Sequence, residues 1–191
     1  LSQIETILEH NKKFVTDKEY EAYITDKFPD KKIAIVTCMD TRLVELLPKA
    51  MNLRNGDAKI IKNAGAVISQ PFGSVMRSLL VAIYELQAEE VFIVGHTGCG
   101  MASLNSEHMI NEMRERGISD DVLGTLENSG IRLRKWLRGF TNEQEGIIHT
   151  VGIVKNHPLL PAHIPVHGML IDSTTGELEL IVDGREQSSN S

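Results

Sequence analysis

The residues best suited to chemistry are Cys38, Asp40, Arg42, His96 and Cys99. They fall in two short stretches, Cys38-Met39-Asp40-Thr41-Arg42 and Gly95-His96-Thr97-Gly98-Cys99-Gly100. A histidine and a cysteine three apart can supply half of a zinc site, and the remaining ligands must come from elsewhere because zinc takes four. Cys38 is the one other cysteine in the chain. Either thiol alone reads more readily as a small buried hydrophobe. Taken with His96, the pair completes the two-thiolate, one-imidazole set of some catalytic zinc sites, which leave the fourth position open. Asp40 and Arg42 have a bland reading, a helix cap and a solvated arginine. Beside a metal they have a sharper one. Arg42 would keep Asp40 ionised and aim it through paired donors, ready to accept a hydrogen bond from metal-bound hydroxide or to bind the metal itself.

Both stretches follow apolar runs that read as strands covered on two faces, Ile33-Ala34-Ile35-Val36-Thr37 and Val91-Phe92-Ile93-Val94. Ligands of open α/β sheets bind beyond the carboxyl ends of strands, which is where Cys38 and His96 stand. A helix beginning near Met101 would lower the Cys99 thiol pKa through its dipole. Residues 2–28 read as helical, with Asp17 as a cap for a second helix, packed either on the domain or on a partner subunit. A short helix through Leu47, a strand from Ala58 to Ile61 and a helix from about Gly73 to Gln87 follow. Asn63-Ala64-Gly65-Ala66 is a small-residue turn where backbone can approach a site closely. Helical stretches are expected at 101–116 and 119–138, with Trp136 and Leu137 in a core or interface. The segment 142–156 suits helix or strand, and helix is preferred. A strand Val166 to Ile171, a turn at Ser173-Thr174-Thr175-Gly176 and a return strand from Glu177 to Val182 close the chain as a hairpin. The whole is an α/β fold: a mostly parallel central sheet flanked by helices, with a C-terminal hairpin and an N-terminal helical arm.

At 191 residues the chain fits one domain, and a net charge of −6 argues against a broad basic face for nucleic acid. No run approaches the ~20 apolar residues of a membrane span. The opening Leu-Ser-Gln-Ile-Glu lacks the basic and apolar regions of a secretory signal. Two cysteines so far apart make no disulfide framework, and metal-binding thiolates suit a reducing cytoplasm. His108, His149, His157, His163 and His167 are candidate proton shuttles to which residue type assigns no role. The glycine spacing after Val94 is not that of a dinucleotide loop. Arg42 also lies too close to Cys38 for the phosphate loop of a thiol phosphatase.

Cys38-x-Asp40-x-Arg42, a long spacer and His96-x-x-Cys99 resemble the β-class carbonic anhydrases, most closely the short bacterial members. The resemblance runs from about Ile33 to Gly184 and includes Asn63-Ala64-Gly65 and the strand at Val166-His167-Gly168. It implies zinc on Cys38, His96 and Cys99, an Asp40–Arg42 dyad, and reversible hydration of CO2 to bicarbonate by zinc-bound hydroxide. It also implies a homodimer or dimer of dimers, and a closed state in which Asp40 becomes the fourth zinc ligand. Hydrolases of COS and CS2 use the same scaffold, and a zinc-bearing, non-catalytic dimer is the remaining alternative. Gly100-Met101 stands where longer members carry Gly-Gly, and Ala66 where they carry Asn, so no substrate-pocket residue is carried over. The expected boundaries are a helical arm over 1–30, one α/β zinc-binding catalytic domain over 31–186 and a disordered tail over 187–191. Two thiolates neutralise the zinc charge and make it a weaker Lewis acid than a three-histidine site, whose water titrates near ~7. CO2 hydration is therefore expected to rise from pH 6 to pH 9 in stopped-flow assays, and a flat profile would contradict the donor set.

Overall fold

A computed structural model describes residues 2–186; the expected disordered tail at 187–191 lies outside the described residues. Among the described residues five strands form one sheet in the order β2-β1-β3-β4-β5. They are β1 (Ile33–Cys38), β2 (Ala58–Asn63), β3 (Glu90–His96), β4 (Val166–Ile171) and β5 (Leu178–Val182). The first four run parallel and β5 returns antiparallel to β4. The α/β architecture read from the sequence is the one observed. The β4–β5 turn is held by Asp172, whose carboxylate accepts the backbone N–H of Thr174 and of Thr175 at 2.9 and 2.7 Å.

Helices cover both faces, as the unbroken apolar strands require. On one face α3 (Ser74–Tyr84) and α7 (Glu143–Lys155) bury Met76, Leu79, Ile147, Val151 and Val154 against Ala34, Val36, Val91 and Ile93. On the other, Leu43 and Leu47 of α2 (Leu43–Ala50) pack with Ile35, Val94 and Ile171, in the cluster that also holds Cys38 and Cys99. The preference for helix at 142–156 is therefore correct. Ile147, Thr150, Val151 and Val154 share the buried side of α7, at the spacing of a helix face, while Ile148 stands 53% exposed.

Three expectations are corrected. Asp17 caps no second helix: it ends α1 (Gln3–Thr16), donating its N–H to the Lys13 carbonyl, and only a 3-10 turn at Glu19–Tyr23 follows. The left-handed backbone of Lys18 breaks the run between them. The stretch 119–138 is two helices, α5 (Asp120–Asn128) and α6 (Leu133–Trp136), because the chain turns at Gly130. Their Leu123, Leu133 and Leu137 join Ile110 of α4 (Ser106–Glu115) in a small apolar cluster of its own. Leu137 is thus core as expected, whereas Trp136 is 63% exposed. Finally, α4 begins at Ser106 and not near Met101, and residues 100–102 form one 3-10 turn.

The contact of α7 with the sheet depends on absent side chains. A Cβ on Gly168 would lie 2.7 Å from Ile147 Cγ2 and 3.1 Å from Val151 Cγ2. Gly168→Ala is therefore expected to destabilise the protein by about 1–3 kcal/mol, the usual cost of overpacking. Denaturant unfolding should show the lower midpoint; an unchanged midpoint would mean that α7 is free to yield.

Candidate metal centre

The parallel pairing of β1 with β3 carries the site. Cys38 ends β1 and His96 ends β3, and the two strands are neighbours in register. Cys99 returns from the turn after β3, so the three predicted donors meet with their ligand atoms within 4.8 Å of one another. All three are buried. Cys38 Sγ and Cys99 Sγ lie 3.9 Å apart, without a disulfide. A tetrahedral zinc with Zn–S bonds of about 2.3 Å separates its sulfurs by about 3.8 Å.

The chemistry of the donors also fits a cation. His96 Nδ1 is 2.9 Å from the Thr97 carbonyl oxygen, which can only accept, so the ring proton sits on Nδ1. His96 Nε2 is then a bare lone pair, and it is buried with no hydrogen-bond partner among the described residues. Orphaned buried polar atoms are rare in native proteins, and a metal is one reason for them. The Gly65 N–H donates to Cys38 Sγ at 3.3 Å, and the Met101 N–H hydrogen-bonds Cys99. Such donors favour thiolates. Gly65 reaches the sulfur because it adopts φ +81°, and a Cβ there would lie 2.8 Å from Met101 Cγ. The small-residue turn at 63–66 thus approaches the site as its composition indicated.

One expectation about Cys99 is reversed. With only a 3-10 turn after it, no helix dipole lowers its thiol. Burial dominates and pushes the Cys99 pKa up to about 11 in the metal-free protein, with the nearby Cys38 and Glu143 adding to the rise and the Met101 N–H opposing it. Glu143 Oε1 also accepts the Cys99 N–H at 3.4 Å.

Asp40 and Arg42 stand together at the rim. Arg42 Nε and Nη2 donate to the two Asp40 oxygens at 2.9 and 2.8 Å, and the Arg42 backbone N–H donates to Oδ1 at 2.9 Å. These bonds hold the Asp40 carboxyl well below the usual carboxylate range, and Asp40 in turn raises the Arg42 pKa. Asp40 Oδ2 lies 3.8 Å from His96 Nε2, facing the three donors. Arg42 Nη2 reaches further, to the Gly98 carbonyl at 3.0 Å, and so ties the two motif stretches to each other. Contrary to the bland reading, neither Asp40 nor Thr41 caps α2: the N-cap position is Arg42, with no side-chain cap bond, and Asp40 accepts the Arg42 N–H in a local turn. Sequence reasoning did not find the contacts of Met101 or Glu143 with Cys99, because a backbone donor and a distant side chain carry no motif.

The chain is similar to known proteins along most of its length. The family profile described as carbonic anhydrase matches residues 33–178. Two Bacillus subtilis proteins provisionally named carbonic anhydrases are close in sequence. YvdA is 59% identical over 181 residues, 95% of this chain and 92% of its own length. YtiB is 52% identical over 184 residues, covering 96% and 98%. The crystal structure of β-carbonic anhydrase isoform I from Trichomonas vaginalis matches with a TM-score of 0.88 at 37% identity, over 96% of this chain and 100% of that one. The chain belongs to the β-carbonic anhydrase family.

A metal entering this site must displace the Cys99 proton, since a pKa near 11 keeps that thiol protonated at neutral pH. Each unit fall in pH should therefore weaken metal binding about tenfold for every thiol proton displaced. Chelator competition at pH 6, 7 and 8 measures this, and Cys38→Ser or Cys99→Ser should lose the metal. An affinity independent of pH would rule out the thiols as donors.

Proposed function

We propose that the chain is a zinc enzyme that catalyses CO2 + H2O ⇌ HCO3− + H+, with the metal held by Cys38, His96 and Cys99. The observation that carries this reading is the buried donor triad set against a carboxylate that Arg42 has charged and aimed. Two soft thiolates and an imidazole in tetrahedral reach favour zinc over the harder cations. Bound zinc supplies Lewis acidity that makes water nucleophilic near neutral pH.

The protein's own part is orientation. Asp40 is ionised at any working pH and can only accept hydrogen bonds. A water between Asp40 and the donor triad must therefore point an O–H at Asp40, which turns an oxygen lone pair towards an incoming CO2. Arg42 keeps that acceptor in place by engaging both of its oxygens. The same engagement favours the open site over the closed state in which Asp40 would bind zinc. The pair's contribution to stability is present at neutral pH and is lost only as pH falls through the depressed Asp40 value.

The reading extends to assembly and compartment. Helix α1 buries none of its residues, and Ile4, Ile7, Leu8 and Val15 are all more than half exposed. This apolar face fits a second copy of the chain, giving a homodimer or a dimer of dimers. Unbridged thiols suit a reducing cytoplasm. Among the described residues no helix is long and apolar enough to cross a membrane.

Stopped-flow hydration of CO2 by zinc-loaded protein is the direct test, and absence of turnover at both pH 7 and pH 9 would overturn the assignment. Faster turnover of COS or CS2 would reassign the substrate. Asp40→Ala should keep the metal while hydration falls on the order of 10²-fold, the scale of a lost orienting contact. Full activity in that variant would remove the dyad from the mechanism. Deleting residues 2–16 should lower the assembled mass in light scattering, and an unchanged mass would acquit the arm.

A further inference from the structure

The Thr97 carbonyl that fixes the His96 ring is itself held from a distant part of the chain. Ser173 Oγ donates to that same oxygen at 3.0 Å, and the Ser173 N–H donates to Thr97 Oγ1 at 3.0 Å. The two hydroxyl oxygens lie 3.3 Å apart. The Thr97 N–H donates to the Ile171 carbonyl at 3.0 Å, extending the β3–β4 ladder one step beyond His96. Thr97 is thus clamped at its N–H, its side chain and its carbonyl by the end of β4. Ser173 is 8% exposed and His96 1%, so little water competes for these groups.

A carbonyl oxygen offers two lone pairs. On Thr97 one accepts from His96 Nδ1 and the other from Ser173 Oγ, so the acceptor is filled and its direction set. Ligating histidines depend on such a partner for tautomer and ring orientation. Here the partner is a main-chain group with no charge to anchor it, and Ser173 provides the anchor.

We propose that Ser173 is a positioning residue of the metal centre: by fixing the Thr97 carbonyl it holds the His96 proton on Nδ1 and keeps Nε2 free to bind the metal. The proposal rests on the metal reading above, but the two can fail separately. The hydrogen bonds of Ser173 go to Thr97 and to none of the three metal donors, so it acts through Thr97.

The experiment compares the native protein with Ser173→Ala and with Ser173→Thr, which restores a hydroxyl. Two readouts besides activity are used: ¹⁵N NMR of the His96 ring in the metal-free protein, and Co(II) binding followed by visible absorption under chelator competition. The native protein should show the Nδ1–H tautomer and a cobalt–thiolate spectrum. Ser173→Ala should mix the tautomers and release Co(II) about tenfold more readily, the scale of a lost outer-shell partner. Ser173→Thr should recover both signals.

An Nε2–H tautomer in the native protein would overturn the proposal without reference to any variant. So would Co(II) retention in Ser173→Ala within twofold of native, which would leave the metal reading standing. Equal loss in the alanine and threonine variants would assign Ser173 to packing and also overturn it. Failure of the native protein to bind Co(II) would remove the metal reading, and this inference with it.

Discussion

The structure depends on one adjacency: β1 and β3 are parallel neighbours, so that their carboxyl ends open at the same place. A thiol and an imidazole, each terminating an apolar strand, are thereby buried together. The turn after β3 folds the second thiol back beside them. Among the described residues no group satisfies His96 Nε2, and burial holds the Cys99 proton in place. The fold has packed three potential metal ligands into one buried cluster. A buried donor set of this kind fits a metal ion.

The surroundings serve that adjacency in different ways. Thr37, one residue before Cys38, is fully buried and donates its hydroxyl to the Val94 carbonyl at 2.9 Å, which pins β1 to β3 just below the site. Arg42 pins them above it through Gly98. The edge of the donor cluster is formed by backbone, with the N–H of Gly65 against one sulfur and that of Met101 against the other. Charge in the site is therefore managed mostly by dipoles and one ion pair.

Much of this was legible in the sequence. The strands β1 and β3 stood out because strands buried on both faces become unbroken apolar runs, and the motif residues sat at their ends. The fold class followed from the alternation of such runs with helical periods. The α7 segment was ambiguous because Ile147, Ile148, Val151 and Val154 are β-branched; packing of one side against β3 and β4 decided it. The failures had local causes. Lys18 adopts a left-handed backbone that residue type did not announce. Gly130 divided what looked like one helix. The helix expected at Met101 began later, so the sign of the Cys99 shift was read from a dipole that is not there. Gly65 was found only as a place of close approach, and Ser173 only as part of a turn. Its bond to Thr97 spans 76 positions and leaves no pattern to read.

The apolar cluster formed by α4, α5 and α6 bears on how this architecture can change over evolutionary time. Ile110, Leu123, Leu133 and Leu137 pack on one another, not on the sheet, and none of the three metal donors belongs to that group. The stretch from α4 to α6 is therefore a self-supporting excursion within the longer connection that also carries Cys99. Residues can be inserted or removed there, and its surface altered, without moving the strand ends that hold the donors. Divergence in length among distant relatives can accumulate in this excursion while the chemistry at the sheet stays as it is.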